Sequence, residues 1–193
     1  MRNEEKNSYL NLPNILSLLR ILLIPVFVVL MTQHKIVAAT AVFFFAGFTD
    51  VLDGFAARLL HQKTKIGALL DPAGDKLLMT SAFIVLAVPS LNSPHIIPVW
   101  LTIVVISRDL FIVSSAFALY KLRGQKSFPP SIWGKSSTVC QFAVLILVLL
   151  FNSFQISFPY LSVLYFLTLA LTLLSGVHYS YIGFRIISLP RKS

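Results

Sequence analysis

Residues 36–60 read IVAATAVFFFAGFTDVLDGFAARLL, an almost unbroken apolar run that contains two aspartates, Asp50 and Asp53. A helix needs about 20 largely apolar residues to cross the hydrocarbon core of a bilayer, and this run is long enough. An ionised aspartate near the bilayer centre costs about 3 kcal/mol, so such residues normally bind an ion or line a polar cavity. The run therefore predicts a transmembrane helix that carries a polar site.

The composition of the whole chain agrees with a membrane location. Of its 193 residues, 56% are hydrophobic and only 12% are charged, and the mean hydropathy is +0.82. Soluble domains carry about 25% charged residues, so this chain has too few to cover a water-facing surface. The length suits one compact unit and leaves no room for a further soluble domain. We therefore expect residues 1–193 to form a single membrane domain.

Six apolar runs are separated by polar residues and prolines that interrupt helices. They predict an all-α integral membrane protein with six transmembrane helices, at about residues 15–32, 36–60, 67–89, 95–120, 136–152 and 158–184. Before the first run, Tyr9, Leu10 and Leu12 predict a short N-terminal amphipathic stretch that lies along the membrane interface.

The distribution of positive charge predicts the orientation in the membrane. The formal net charge is +9, but the basic residues do not form the continuous basic face that nucleic-acid binding requires. They fall in alternate loops, and the opposite loops contain only Lys35. Because cytoplasmic loops carry an excess of lysine and arginine, we predict cytoplasmic termini. The residues of the cytoplasmic set are Arg2, Lys6, Arg58, Lys63, Lys65, Lys121, Arg123, Lys126, Lys135, Arg185, Arg191 and Lys192.

Four of the acidic residues are spaced so that they share helix faces. Asp50 and Asp53 are three residues apart, and Asp71 and Asp75 are four apart, so each pair projects from one side of its helix. A short basic loop joins the two helices and makes them antiparallel neighbours, which brings the pairs together. Four converging carboxylates would repel one another without cations, and such oxygen ligands suit Mg²⁺ or Mn²⁺. The pattern therefore predicts a metal site formed by these four aspartates.

The residues between the aspartates suit a nucleotide diphosphate. Gly54 and Ala57 continue the face of Asp50 and leave room for a ligand. Arg58 follows one turn later and can reach phosphate oxygens. Gly67 precedes Asp71 by four residues, at a position where a side chain would intrude on the cavity.

Together these residues match the pattern D-x2-D-G-x2-A-R-x8-G-x3-D-x3-D at every defined position, from Asp50 to Asp75. The chain resembles the CDP-alcohol phosphatidyltransferase family. The resemblance covers most of the chain, including the Leu-Pro-Asn-Ile entry to the first span and the six-helix layout. A cation transporter would also explain intramembrane aspartates, but it would not explain Gly54, Arg58 and Gly67 at these spacings.

The resemblance implies an activity and roles for individual residues. The activity is metal-dependent transfer of the phosphatidyl group from CDP-diacylglycerol to an alcohol, with release of CMP, in phospholipid synthesis. Asp50, Asp53 and Asp71 would hold two divalent cations, Mg²⁺ or Mn²⁺, and Asp75 would be both a shared metal ligand and the general base. The residues implied to contact the CDP part of the donor are Asn14, Gly54, Arg58 and Thr64, with Gly67 beside them.

The family resemblance also implies a homodimer. We expect it in the inner (cytoplasmic) membrane of a bacterium or in an equivalent organelle membrane, with the active site on the cytoplasmic side.

Three basic residues are predicted to frame the pocket for the acceptor alcohol: Arg20, Arg108 and Lys135. Intramembrane cations are costly, and facing a phosphate-bearing ligand explains them best. Arg108 has an alternative partner in Asp109, although adjacent residues on a helix point in different directions.

The identity of the alcohol stays open between two compounds. The segments Asn11–Arg20 and Asp71–Lys76 resemble the phosphatidylglycerophosphate synthase and cardiolipin synthase branch. The commoner bacterial role favours glycerol 3-phosphate as the acceptor. Ile106-Ser107-Arg108-Asp109 is similar to cardiolipin synthases of the eukaryotic type and favours phosphatidylglycerol. A site for the second acceptor needs an apolar lateral opening for further acyl chains.

Overall fold

The computed structural model describes residues 12–59, 67–89, 94–123 and 131–188, without the side chains of residues 12–14, 50–59, 67–71, 120, 122–123 and 187–188. Within these ranges the chain is helical and contains no β-strand, so the all-α prediction is confirmed. The six helices are α1 Leu12–Thr32, α2 Ile36–Leu59, α3 Gly67–Leu86, α4 Val99–Arg123, α5 Ile132–Phe154 and α6 Leu161–Ser188. The predicted N-terminal interfacial stretch falls mostly outside the described residues.

The helix ends differ from the prediction by a few residues, and a proline explains the start of α4. α4 begins at Val99 rather than near residue 95, because Pro98 restricts the residue before it to extended backbone. The Pro98 carbonyl then accepts bonds from the backbone N–H groups of Leu101 and Thr102. Between α1 and α2 the chain turns at His34, whose φ of 58° is left-handed and cannot continue a helix.

The chain forms two compact units, each described here by itself. The first comprises residues 1–85 and 90–92, and the second comprises residues 86–89 and 93–193. In the first unit α1 packs against α2. The rings of Phe27 and Phe43 are both fully buried at this contact, with centroids 5.7 Å apart.

In the second unit α6 packs against both α4 and α5. Trp100 on α4 stacks on Phe166 of α6, with centroids 5.7 Å apart. At one end of this unit, the Asn152 side chain bonds both backbone groups of His95, accepting from its N–H at 2.8 Å and donating to its carbonyl at 2.9 Å. This pair closes the segment before α4 onto the end of α5.

Four of the described helices are long and apolar enough to cross a membrane: α1, α4, α5 and α6. In α2 a shorter apolar segment, Ile36–Thr49, precedes the acidic pattern, and the side chains that follow it are not described. The chain is therefore an all-helical protein with several membrane-spanning helices, while six spans and cytoplasmic termini stay predictions.

Candidate active site

The backbone places the sequence pattern on two consecutive helices. Asp50, Asp53, Gly54 and Arg58 belong to α2, whereas Gly67, Asp71 and Asp75 belong to α3. Buried residues of α2 follow one another at Ala39, Phe43 and Ala46, and the same three-to-four spacing continues to positions 50 and 53. The sequence positions of the acidic pair therefore continue the spacing of this buried face along α2.

Asp75 is the predicted ligand whose side chain the structure describes. Its carboxylate lies beside Arg20 of α1, with 3.7 Å between Oδ1 and Nη1. The Arg20 side chain is fully buried, whereas that of Asp75 is half exposed. The sequence predicted Arg20 for the acceptor pocket and did not predict this pair.

Gly74 explains how α3 comes close enough to α1 for that contact. A Cβ at this position would lie 3.6 Å from Cδ of Arg20 and 3.7 Å from Cγ1 of Ile21, which is already van der Waals distance. A larger side chain would therefore push the two helices apart. The glycine between Asp71 and Asp75 is the sequence signal that could have suggested a close approach to α1.

The metal site can be tested only in part. Among residues with described side chains, no group of three or more His, Cys, Asp or Glu forms a metal cluster; of the four predicted ligands that set includes Asp75 alone. The donor set is chemically suitable, because Mg²⁺ and Mn²⁺ prefer carboxylate oxygens and Asp75 presents a half-exposed carboxylate. The metal ligands remain a prediction, as do the nucleotide contacts. Thr64 lies outside the described residues, and the side chain of Asn14 is not described.

Arg108, in the second unit, lies in a cluster of polar side chains from α4 and α6. Its Nη1 donates to Oδ1 of Asp109 at 2.7 Å, and its Nε donates to Oγ of Ser175 at 3.2 Å. Its Nη2 also donates to the Ser175 hydroxyl. The alternative partner that the sequence offered for Arg108, Asp109, is confirmed, because the long arginine side chain bends back to its neighbour.

Tyr179 and Gly134 complete the surroundings of this arginine. The guanidinium carbon lies 5.9 Å from the centroid of the Tyr179 ring, within cation–π distance. A Cβ at Gly134 on α5 would lie 3.0 Å from Cε2 and from Oη of Tyr179, and 3.4 Å from Nη2 of Arg108. The absence of a side chain at position 134 therefore lets α5 meet these two groups.

The neighbouring residues extend this cluster along the interface between α5 and α6. The Ser131 backbone N–H donates to the Tyr179 hydroxyl at 3.4 Å, and the Ser131 hydroxyl lies 2.9 Å from Nδ1 of His178. The Gln141 amide nitrogen lies 3.1 Å from the hydroxyls of both Ser137 and Thr172. Lys135, predicted for the acceptor pocket, is exposed in the first turn of α5.

Sequence reasoning missed Gly134, Ser175 and Tyr179. One signal could have identified two of them, because polar residues recur every three or four positions along α6. These residues are Thr168, Thr172, Ser175 and Tyr179. A polar stripe on a transmembrane helix normally faces other helices rather than lipid.

A groove of about 460 Å³ runs between α4 and α6 beside Arg108, within the range of roughly 300–1,000 Å³ usual for ligand sites. Its lining is mainly apolar and includes Ile103, Val104, Phe111, Leu173 and Val177, together with Arg108. Val177 is 69% exposed, so the groove is open along its outer side.

Comparison with known proteins supports the interpretation of the sequence pattern. The sequence model of the CDP-alcohol phosphatidyltransferase family matches residues 10–174, which is most of the chain and includes α2 and α3 in full. The chain belongs to this family. The match covers the acidic pattern of the first unit and Arg108 of the second, and it ends just before Ser175.

Individual relatives fall into two named activities. A Mycobacterium tuberculosis protein, provisionally named a cardiolipin synthase, is 37% identical over 134 residues, which are 69% of this chain and 61% of that protein. Proteins named CDP-diacylglycerol–glycerol-3-phosphate 3-phosphatidyltransferase come from Pseudomonas fluorescens, 36% identical over 72% of each chain, and Aquifex aeolicus, 31% identical over 92% of this chain and 98% of that one. The match thus spans about three fifths of the mycobacterial relative.

Proposed function

We propose that the protein transfers the phosphatidyl group of CDP-diacylglycerol to a glycerol-type alcohol that carries a phosphate, with release of CMP. The observation that carries this proposal is the complete acidic pattern on consecutive helices α2 and α3, in a chain that belongs to the CDP-alcohol phosphatidyltransferase family. The relatives named for phosphatidyl transfer to glycerol 3-phosphate, and for cardiolipin synthesis, support the same class of reaction.

The chemistry follows from the residues of the first unit. Asp50, Asp53, Asp71 and Asp75 would hold two Mg²⁺ or Mn²⁺ ions, which would neutralise the charge of the donor diphosphate and of the departing CMP. The acceptor hydroxyl attacks the phosphorus that bears the diacylglycerol, and the bond from that phosphorus to CMP breaks. Asp75 takes the proton of the hydroxyl as a general base.

Arg20 has a role in the same step. Its fully buried guanidinium lies 3.7 Å from the Asp75 carboxylate, so the proposed base has a charged neighbour on α1. It also restricts the direction of the carboxylate, because α3 is held close to α1 at Gly74. We therefore assign Arg20 to the orientation of the base rather than to the acceptor.

The first candidate acceptor is glycerol 3-phosphate. It is the acceptor named for the Aquifex relative, whose match extends over nearly the whole of both chains. Arg108 and Lys135 would bind its phosphate, since a guanidinium suits phosphate oxygens.

The second candidate acceptor is phosphatidylglycerol, and the groove between α4 and α6 favours it. An acyl chain gains little by moving from lipid into an apolar groove, because both surroundings are apolar. Selection must therefore come from the polar end, where Arg108 supplies a positive charge for the phosphate of the acceptor lipid. The groove would hold one of its acyl chains.

Purified protein with labelled CDP-diacylglycerol, divalent cations and each acceptor alone tests the proposal. We expect CMP release together with phosphatidylglycerophosphate from glycerol 3-phosphate, or with cardiolipin from phosphatidylglycerol. Absence of both products from a folded, donor-binding protein would contradict the proposed function.

Filling the groove distinguishes the two candidate acceptors. Val177→Trp should impair use of the lipid acceptor and leave use of glycerol 3-phosphate unchanged. Val163→Trp is the control, because Val163 is on the same helix, is 63% exposed and lies outside the groove; it should impair neither.

We further propose a homodimer, as the family resemblance implies, and an active site at the cytoplasmic face, which the alternating loop charges support. Cysteine probes at positions 63 and 126 should be labelled from the cytoplasmic side, and one at position 93 from the opposite side, in a background where Cys140 is replaced by serine. Labelling with the reverse pattern would place the active site on the opposite side of the membrane, away from the cytoplasm.

A further inference from the structure

Arg108 is held in one orientation by residues that no sequence pattern pointed to. The side chain is 8% exposed, and the hydroxyl of Ser175 accepts from both Nε and Nη2. Asp109 accepts from Nη1 on the other side. A long, flexible side chain with contacts on two edges has lost most of its rotamer freedom before any ligand binds.

These contacts leave the guanidinium with donors for a ligand. A guanidinium carries five N–H groups in a planar fork, and the contacts to Ser175 and Asp109 use three of them. Nη1 and Nη2 each carry one more hydrogen. Each of these donors suits a phosphate oxygen, because hydrogen bonds from a guanidinium to a phosphate are charge-assisted and strong.

Tyr179 and Gly134 fix the plane of the fork. The Tyr179 ring lies beside the guanidinium at 5.9 Å, and its hydroxyl accepts from the Ser131 backbone at 3.4 Å. Gly134 makes this arrangement sterically feasible, since a Cβ there would be 3.0 Å from two atoms of the tyrosine and would force it to shift. Residues from α5 and α6 thus determine where an arginine of α4 points.

We infer that Ser175, Tyr179 and Gly134 are positioning residues that present Arg108 to the phosphate of the acceptor alcohol. This inference rests on the proposed function, in which Arg108 binds that phosphate. Because the fork is fixed beforehand, the acceptor does not have to order it, and affinity for the acceptor is higher than a mobile arginine would give.

Ser175→Ala tests the inference by removing the hydroxyl that holds two nitrogens of Arg108. We expect the acceptor KM to rise about tenfold, the size of one lost hydrogen bond to a charged group. The donor KM and kcat at saturating acceptor should stay within about twofold, since the acidic site is untouched. Gly134→Ala, which acts through Tyr179, should raise the acceptor KM in the same way.

Ser162→Ala is the matched control. It is also a serine of α6, it is exposed and outside the groove, and its hydroxyl donates to the Pro159 carbonyl at 3.5 Å. We expect no change in either KM. Thermal unfolding of all three variants identifies any general loss of stability.

A second readout keeps this test separate from that of the proposed function. Calorimetric titration of glycerol 3-phosphate into the protein in lipid nanodiscs measures acceptor binding without turnover, and Ser175→Ala should weaken it about tenfold. If the wild-type protein is inactive but binds glycerol 3-phosphate, and Ser175→Ala weakens that binding, the proposed function is refuted and the positioning role stands. Unchanged acceptor affinity in both Ser175→Ala and Gly134→Ala, or an equal loss of donor affinity, would overturn the positioning role.

Discussion

The two units of this protein encode their polar sites in different ways. In the first unit, the proposed metal ligands lie on two consecutive helices and are separated by fixed, short intervals, as are Gly54, Arg58 and Gly67 of the proposed nucleotide site. In the second, Arg108 is held by residues from two other helices, and its main partner, Ser175, is 67 positions away in sequence. The site of the first unit is encoded by a local sequence pattern, whereas that of the second unit forms only when three helices pack together.

The difference has a physical reason. Two metal ions require several carboxylates at short distances, and neighbouring turns of a helical hairpin provide them with few other constraints. A single arginine needs only packing and a hydroxyl to fix it, and any nearby helix can supply these. The first unit should therefore fail completely when one ligand is lost, while the second should weaken by degrees.

The largest effect is expected from Asp50→Asn or Asp71→Asn. Each removes a carboxylate that the paired cations require, so CMP release should fall below detection even at high Mg²⁺ or Mn²⁺. Glu4→Gln, the same chemical change at an acid outside the pattern, should leave release unchanged. Near-normal turnover in a correctly inserted Asp50→Asn protein would refute the metal site.

Asp75→Asn should have the next largest effect and should separate chemistry from binding. Loss of the general base predicts a fall in turnover of at least about 100-fold with donor affinity largely retained. The rate of CMP release under single-turnover conditions measures the chemical step, and the affinity for CDP-diacylglycerol measures donor binding. A loss of donor affinity as large as the loss of rate would make Asp75 a metal ligand only.

Arg20→Met should lower turnover by about tenfold, because the ion pair that orients the Asp75 carboxylate is lost while most of the buried volume is kept. The acceptor KM should not change, because in our proposal Arg20 orients the base and does not bind the phosphate of the acceptor. A raised acceptor KM with unchanged kcat would instead return Arg20 to the acceptor pocket that the sequence predicted.

Arg108→Ala should give the smallest effect on maximal rate. We expect the acceptor KM to rise by about tenfold or more as the phosphate loses its charged partner, with donor binding nearly intact. Initial rates over a range of acceptor concentrations provide the measurement. Equal damage to donor binding would place Arg108 at the nucleotide.

Much of the architecture could be predicted from the sequence, because apolar runs and prolines are local features. The six helices lie where the apolar runs predicted them, and the family followed from the pattern between Asp50 and Asp75. The contact of Arg20 with Asp75 could not be predicted, because it depends on how closely α3 packs on α1 at Gly74. The sequence offered Asp109 as a partner of Arg108, whereas the contact with the Ser175 hydroxyl of another helix could not be predicted.

One saturation experiment tests most directly whether the first unit carries out the reaction and the second unit binds the acceptor. CMP release from labelled CDP-diacylglycerol would be followed for Asp50→Asn and Arg108→Ala while the acceptor concentration is raised. We predict that Arg108→Ala recovers most of the wild-type rate at high acceptor, and that Asp50→Asn does not recover at any concentration. Recovery of Asp50→Asn, or a rate of Arg108→Ala that stays low at saturating acceptor, would contradict this assignment of catalysis to the first unit and acceptor binding to the second.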